Sequence, residues 1–177
     1  MRVYGGGAYP AYIVDPDTLR EELLSEEDTL EWLQEMPEDP HAPSFWRMLG
    51  ELDRALETGE ARLAEQEPGT ASWGAAALRL AQAHHWREEF AQAHELLAAV
   101  EEMLGDDPWV QGAVLHQRAT VLLDQGRWEQ AHADAARAVS LRERSGDPEV
   151  LSSREVVERV RRARRTTEDG GGRPPTV

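Results

Sequence analysis

The sequence predicts an all-α fold made of paired helices, and three observations predict it. The segment Phe90-Ala91-Gln92-Ala93-His94 returns thirty-eight residues later as Trp128-Glu129-Gln130-Ala131-His132, with Ala81 and Ala119 standing nine residues before each aromatic. A small residue, a nine-residue step to an aromatic and another small residue three further on is what a repeated helix pair needs. Apolar residues recur at three- and four-residue steps, as in Phe45, Met48, Leu49, Leu52, Leu56 and Leu63, so one stripe of each helix faces a core. Helix punctuation falls between these stripes: Gly105, Gly126 and Gly146 stand where left-handed caps end helices, and Asp107-Pro108 and Asp147-Pro148 where helices start.

Taken in order, residues 1–14 form an aromatic, glycine-rich arm with too much Gly and Pro for a helix, expected to be extended or loose. Residues 15–69 are expected to be acidic N-terminal helices. Asp15-Pro16-Asp17 offers an acidic cap before Leu19, Leu23 and Leu24, and Ser25 starts a second helix through Leu30, Trp32, Leu33 and Met36. Three prolines between Pro37 and Pro43 make a loop. Ser44 then caps a single helix that runs past Leu63 and ends near Glu67-Pro68-Gly69. The remainder divides into helices at 71–85, 88–104, 109–125, 127–143 and 148–165, followed by a disordered tail at 166–177 rich in Gly and Pro. No strand is expected anywhere.

Aligned on Ala93 and Ala131, the two units place small residues where helix backbones approach closely and Phe90 and Trp128 where a ring fills the wedge between helices. This spacing resembles the tetratricopeptide repeat. Leu115, Ala119, Leu122, Gly126, Trp128, Ala131 and Ala138 fall on that family's signature positions, and the run from Ala138 to Val150 resembles the longer variant of kinesin light chains. Three positions depart from the pattern: Glu88 occupies a turn where the family usually has Gly, His84 stands at an aromatic position of the first unit, and Arg118 replaces a usual leucine in the second. The resemblance implies a right-handed stack of helical hairpins over 70–165, with the Phe45 helix and the 148–165 helix capping its ends. It also implies a concave groove lined by Leu78, Gln82, His85 and Trp86 in one unit and His116, Thr120, Leu123 and Asp124 in the next. Such a mixed surface suits a peptide or protein element. A role for Trp86 in packing between units is equally open.

Composition narrows the chemistry. Cysteine, lysine and asparagine are all absent, which removes thiol catalysis, Schiff-base and Walker lysines and amide-linked glycosylation. That joint absence beside abundant Ala, Arg and Gly reads as a GC-rich bacterial genome. The start has no apolar run of secretory length and no later segment approaches a membrane span, so a cytoplasmic protein without membrane contact is expected. The net charge of −15 is uneven: acids far outnumber arginines over 1–70, whereas arginines outnumber acids over 148–177. An acidic surface favours solubility and basic partners and opposes broad phosphate binding.

Catalytic and cofactor motifs are missing. The six histidines include no His-Glu-x-x-His pair, and His94 and His132 hold equivalent repeat positions, so no metal and no cofactor is expected, a metalloprotein built on His84, His85, His94, His116 and His132 being the least favoured alternative. Glu27, Glu31 and Glu35 share one helical face, a surface stripe or a dock for a basic segment. Arg154, Arg159, Arg161, Arg162, Arg164 and Arg165 supply such a segment, and nucleic-acid binding through them is the weaker option. The expectation is a non-enzymatic scaffold with a protein or peptide partner. Tyr4, Tyr9 and Tyr12 on the arm are expected to assist assembly, including a homodimer in which the arm enters a neighbour's groove.

Overall fold

A computed structural model describes residues 2–170 of the chain, with side chains up to Thr166. The fold is all-α apart from one small sheet. Two compact units divide it, Met1–Met103 and Leu104–Val177.

The first unit opens with what the sequence was not expected to hold. Residues Val3–Gly6 (β1), Tyr9–Val14 (β2) and Glu21–Leu23 (β3) form an antiparallel sheet in the order β1-β2-β3. Gly5, Gly6 and Gly7 all take positive φ, which lets the chain reverse where a side chain would be strained. A Cβ on Gly5 would lie 2.3 Å from the Pro10 carbonyl oxygen. Glycine thus makes the arm a hairpin. The expected helix at Asp15 to Leu24 is also replaced, by a tight turn and β3. There the Asp15 carboxylate accepts from the Asp17 N–H at 2.8 Å and from the Thr18 hydroxyl at 3.0 Å, so the side chain closes a turn in place of capping a helix.

Helix Glu26–Glu35 (α1) starts as expected at Ser25, whose hydroxyl accepts from the Asp28 N–H. After it come Ala42–Met48 (α2), Leu52–Ala64 (α3), Ala71–Trp86 (α4) and Phe90–Leu104 (α5), the last crossing the unit boundary by one residue. α2 packs on both α3 and α4, and α3 packs on α4. The single helix expected from Ser44 is therefore two helices, broken at Gly50.

That break is the first of three matching turns. At Gly50, Glu88 and Gly126, each thirty-eight residues from the next, φ is 79°, 63° and 72°. The following N–H returns to the carbonyl five residues back, Glu51 to Trp46 at 3.0 Å, Glu89 to His84 at 2.9 Å and Arg127 to Leu122 at 2.9 Å. The left-handed residue itself donates to Arg47, His85 and Leu123, each at 3.0 Å. These paired bonds make a Schellman-type helix end, which recurs at the end of α7 with Gly146 but keeps the thirty-eight-residue spacing only at Gly50, Glu88 and Gly126. Five residues beyond each turn stands an alanine without exposed surface, Ala55, Ala93 and Ala131. A third hairpin, α2–α3, thus precedes the two that were expected.

In the second unit Pro108–Asp124 (α6) and Trp128–Ser145 (α7) form a closely packed pair, and Val150–Gly170 (α8) covers them. Asp107 caps α6 through the Trp109 N–H, with Pro108 at the first helical position. Leu115, Ala138 and Leu141 form its core cluster, and α8 buries Val156, Val157 and Val160. The expected tail from residue 166 is helical through Gly170; the rest of it, 171–177, lies outside the described residues.

Candidate functional site

Each half of the expected groove sits within its own unit. In the first, Trp86 at the end of α4 is covered by two guanidinium groups, with the Arg47 carbon centre 4.3 Å and the Arg20 centre 5.1 Å from its ring centroid. Arg47 is buried in α2 and clasps the Glu21 carboxylate through two bonds of 2.9 Å, and it reaches Gln82 at 3.5 Å. Buried Arg–carboxylate forks of this kind fix geometry. They weld β3 to α2 and α4. His85 is buried and tilts against Phe90, and Leu78 is half-buried. Among these four residues, Gln82, His85 and Trp86 already have partners within the unit.

In the second unit His116 Nδ1 lies 3.2 Å from the Ser153 hydroxyl on α8, so α8 covers that face of α6. The Thr120 hydroxyl turns back to the Gln117 carbonyl at 2.7 Å, Leu123 is buried, and Asp124 is exposed. Ser153 also accepts from Arg142 at 2.8 Å, while Arg142 donates to the Glu149 carbonyl at 2.9 Å. Arg142 Nε stands 3.2 Å from an Asp147 oxygen as an ion pair outside hydrogen-bonding geometry. Burial pushes the Arg142 guanidinium below its usual range, and Asp147 and Glu149 pull it back up. Gly112 leaves room for this arginine, since a Cβ there would meet Arg142 Cγ at 3.2 Å. Arg118, the residue at a usual leucine position, holds Asp134 of α7 with two bonds of 2.7 and 3.2 Å.

The three arm tyrosines make ring contacts within their own unit, although Tyr9 stays exposed. Tyr4 stacks on Tyr12 with centroids 5.4 Å apart, and Tyr9 packs on Trp32 and on His41. Trp32 Nε1 donates to the Ala8 carbonyl at 3.0 Å and pins the hairpin tip. His41 Nδ1 lies 3.0 Å from an Asp39 oxygen and its Nε2 3.0 Å from the Arg79 guanidinium, so the ring bridges the two side chains. Arg79 is pushed down by burial, with Asp39 and Tyr9 opposing. Among the described residues, no three potential metal ligands come together.

One open cleft of about 390 Å³ lies in the first unit beside α3. Leu33, Pro37, Trp46 and Ala61 give its lining an apolar part, and Arg54, Arg62, Glu38, Glu57 and Thr58 a polar one. Sequence reasoning missed it because α2 and α3 were read as one helix. The signal was present in Gly50 and Ala55, thirty-eight residues ahead of Glu88 and Ala93. No helix of the described residues is long and apolar enough to cross a membrane. Compared with protein families, characterised proteins and solved structures, the chain gives no match.

Proposed function

We propose that the chain is a non-enzymatic scaffold of tetratricopeptide-like hairpins that holds a protein element. The observation that carries this reading is the recurrence, three times at one spacing, of the same left-handed turn followed by the same fully buried alanine. A hairpin repeated in this way gains stability from its neighbours and offers an extended surface, which is the physical basis of repeat proteins as binders. The internal partners of Trp86, Gln82 and His116 move the binding role away from those side chains. Exposed apolar residues are better placed to meet a partner: Trp109 and Leu151, in the first turns of α6 and α8, are each about half exposed.

The test is recovery of tagged full-length chain from its source cells under native conditions. One protein in stoichiometric amount is expected, and Trp109→Ala with Leu151→Ala is expected to lose it while unfolding at the wild-type denaturant concentration. Recovery of the chain alone at every expression level overturns the reading.

Nucleic-acid binding by α8 is the second reading, motivated by the exposed Arg161, Arg162 and Arg165. Carboxylates of the same unit oppose it. Arg154 pairs with Glu143 and Arg161 with Glu158, both at 2.6 Å, and Arg164 pairs with Glu129 at 3.1 Å. The expected result is no shift of duplex DNA at about 50 mM salt, where phosphate contacts are strong.

A further inference from the structure

The cleft beside α3 occurs at the first of the three hairpins. Its lining residue Arg62 is matched thirty-eight and seventy-six residues later by Val100 and Ala138, both without exposed surface. The face that is buried at those two positions is, in the first hairpin, a charged edge beside an open cleft. Resting on the scaffold reading, we infer that this cleft is a docking site for a basic segment of a partner protein, with an arginine side chain seated on Trp46.

Two observations select that chemistry. The chain already lays one guanidinium on the ring, since the Arg54 carbon centre is 4.8 Å from the Trp46 centroid. Arg54 is held there weakly: its side chain is 58% exposed and its nearest carboxylate, Glu51, is 4.0 Å away. A ring face attracts a cation more strongly as water is excluded, and Glu57 adds a carboxylate to the same cleft. Arg54 occupies that position as a replaceable stand-in. The surrounding charge agrees. Arg62 is neutralised by ion pairs to Glu38 and Glu65, and Glu57 in the lining has no ion-pair partner among the described residues. Residues 104–177 hold as many arginines as acids, so the unit containing the cleft carries the entire net charge of −15. Leu33, Pro37 and Ala61 give the aliphatic part of the segment an apolar seat.

The experiment titrates full-length protein into a short fluorescein-labelled peptide of Leu-Arg-Pro repeats and into the matching Leu-Glu-Pro peptide, followed by fluorescence anisotropy. The arginine peptide is expected to bind and the glutamate peptide not. Arg54→Ala, which clears the ring, is expected to tighten binding about threefold. Glu57→Arg is expected to weaken it at least about fivefold by placing like charges together. Both positions are exposed, so folding is checked simply by an unchanged thermal unfolding midpoint. Equal affinity in all three proteins, or preference for the glutamate peptide, overturns the inference. If either occurs while the Trp109-dependent partner is still recovered, the docking site falls and the scaffold reading stands.

Discussion

Arg142 shows how much one side chain organises in the second unit. Its guanidinium joins the end of α7 to Glu149 and Ser153 at the start of α8, beside an Asp147 carboxylate that is only 2% exposed. Removing one partner of a buried pair leaves the other charge desolvated and alone. Arg142→Met is therefore expected to lower unfolding free energy by about 3–5 kcal/mol in urea titration. Asp147 also accepts from the Glu149 N–H at 2.8 Å, so Arg142→Met, Asp147→Ala and the double variant are compared as a cycle, and a coupling near zero would show that the carboxylate is not the source. Glu88 is the opposite case, a residue that costs stability where it stands. Its left-handed backbone is the conformation glycine adopts at Gly50 and Gly126. Left-handed geometry costs a residue with a Cβ about 1–2 kcal/mol. Glu88→Gly is expected to stabilise the protein by about 1 kcal/mol after the entropy of a freer unfolded chain is deducted. A destabilised variant would mean that the Glu88 side chain holds the turn.

Among the elements, legibility follows from whether the governing interactions are local. Helices α4 to α8 were readable because Thr70 and Asp107 as caps, Pro108 at a first turn and Gly126 and Gly146 at ends act within a few residues of themselves. The sheet was not readable. Its strands are held by cross-strand pairing of Tyr12 with Tyr4 and Leu23, and by Trp32 reaching back to Ala8, contacts that span the sequence. The α2–α3 hairpin was hidden for a different reason. Pro43 stands where Ala81 and Ala119 stand later, and Leu52 where Phe90 and Trp128 do. Its first helix has only seven residues, so periodicity runs across Gly50 without an obvious break. In the sequence only Gly50 and Ala55 mark the repeat, and the backbone turn makes it plain. The candidate groove was half legible: the expected residues do lie on α4 and α6, but their immediate partners, Arg47, Arg20 and Ser153, come from elements that the repeat pattern alone does not specify.

Across the whole molecule, charge is distributed as unevenly as structure is regular. Crowding the full net charge of −15 into residues 1–103 makes that unit repel itself, whereas the other is balanced. Salt screens such repulsion over about 10 Å at 0.1 M. Raising sodium chloride from about 10 mM to about 300 mM should therefore increase the urea midpoint of the full chain, a shift of the unfolding transition that circular dichroism can follow. A fall in the midpoint would show that the ion pairs Arg47–Glu21 and Arg62–Glu38 outweigh the repulsion.

The common phase of Gly50, Glu88 and Gly126 has a genetic corollary. Unequal recombination that removes or copies a block running from one such position to the next would rejoin the reading frame inside an equivalent bend, with its paired backbone hydrogen bonds re-formed by their counterparts. Length in a gene built this way changes in whole hairpins, and a lineage can gain or lose one in a single event without first inventing a new loop.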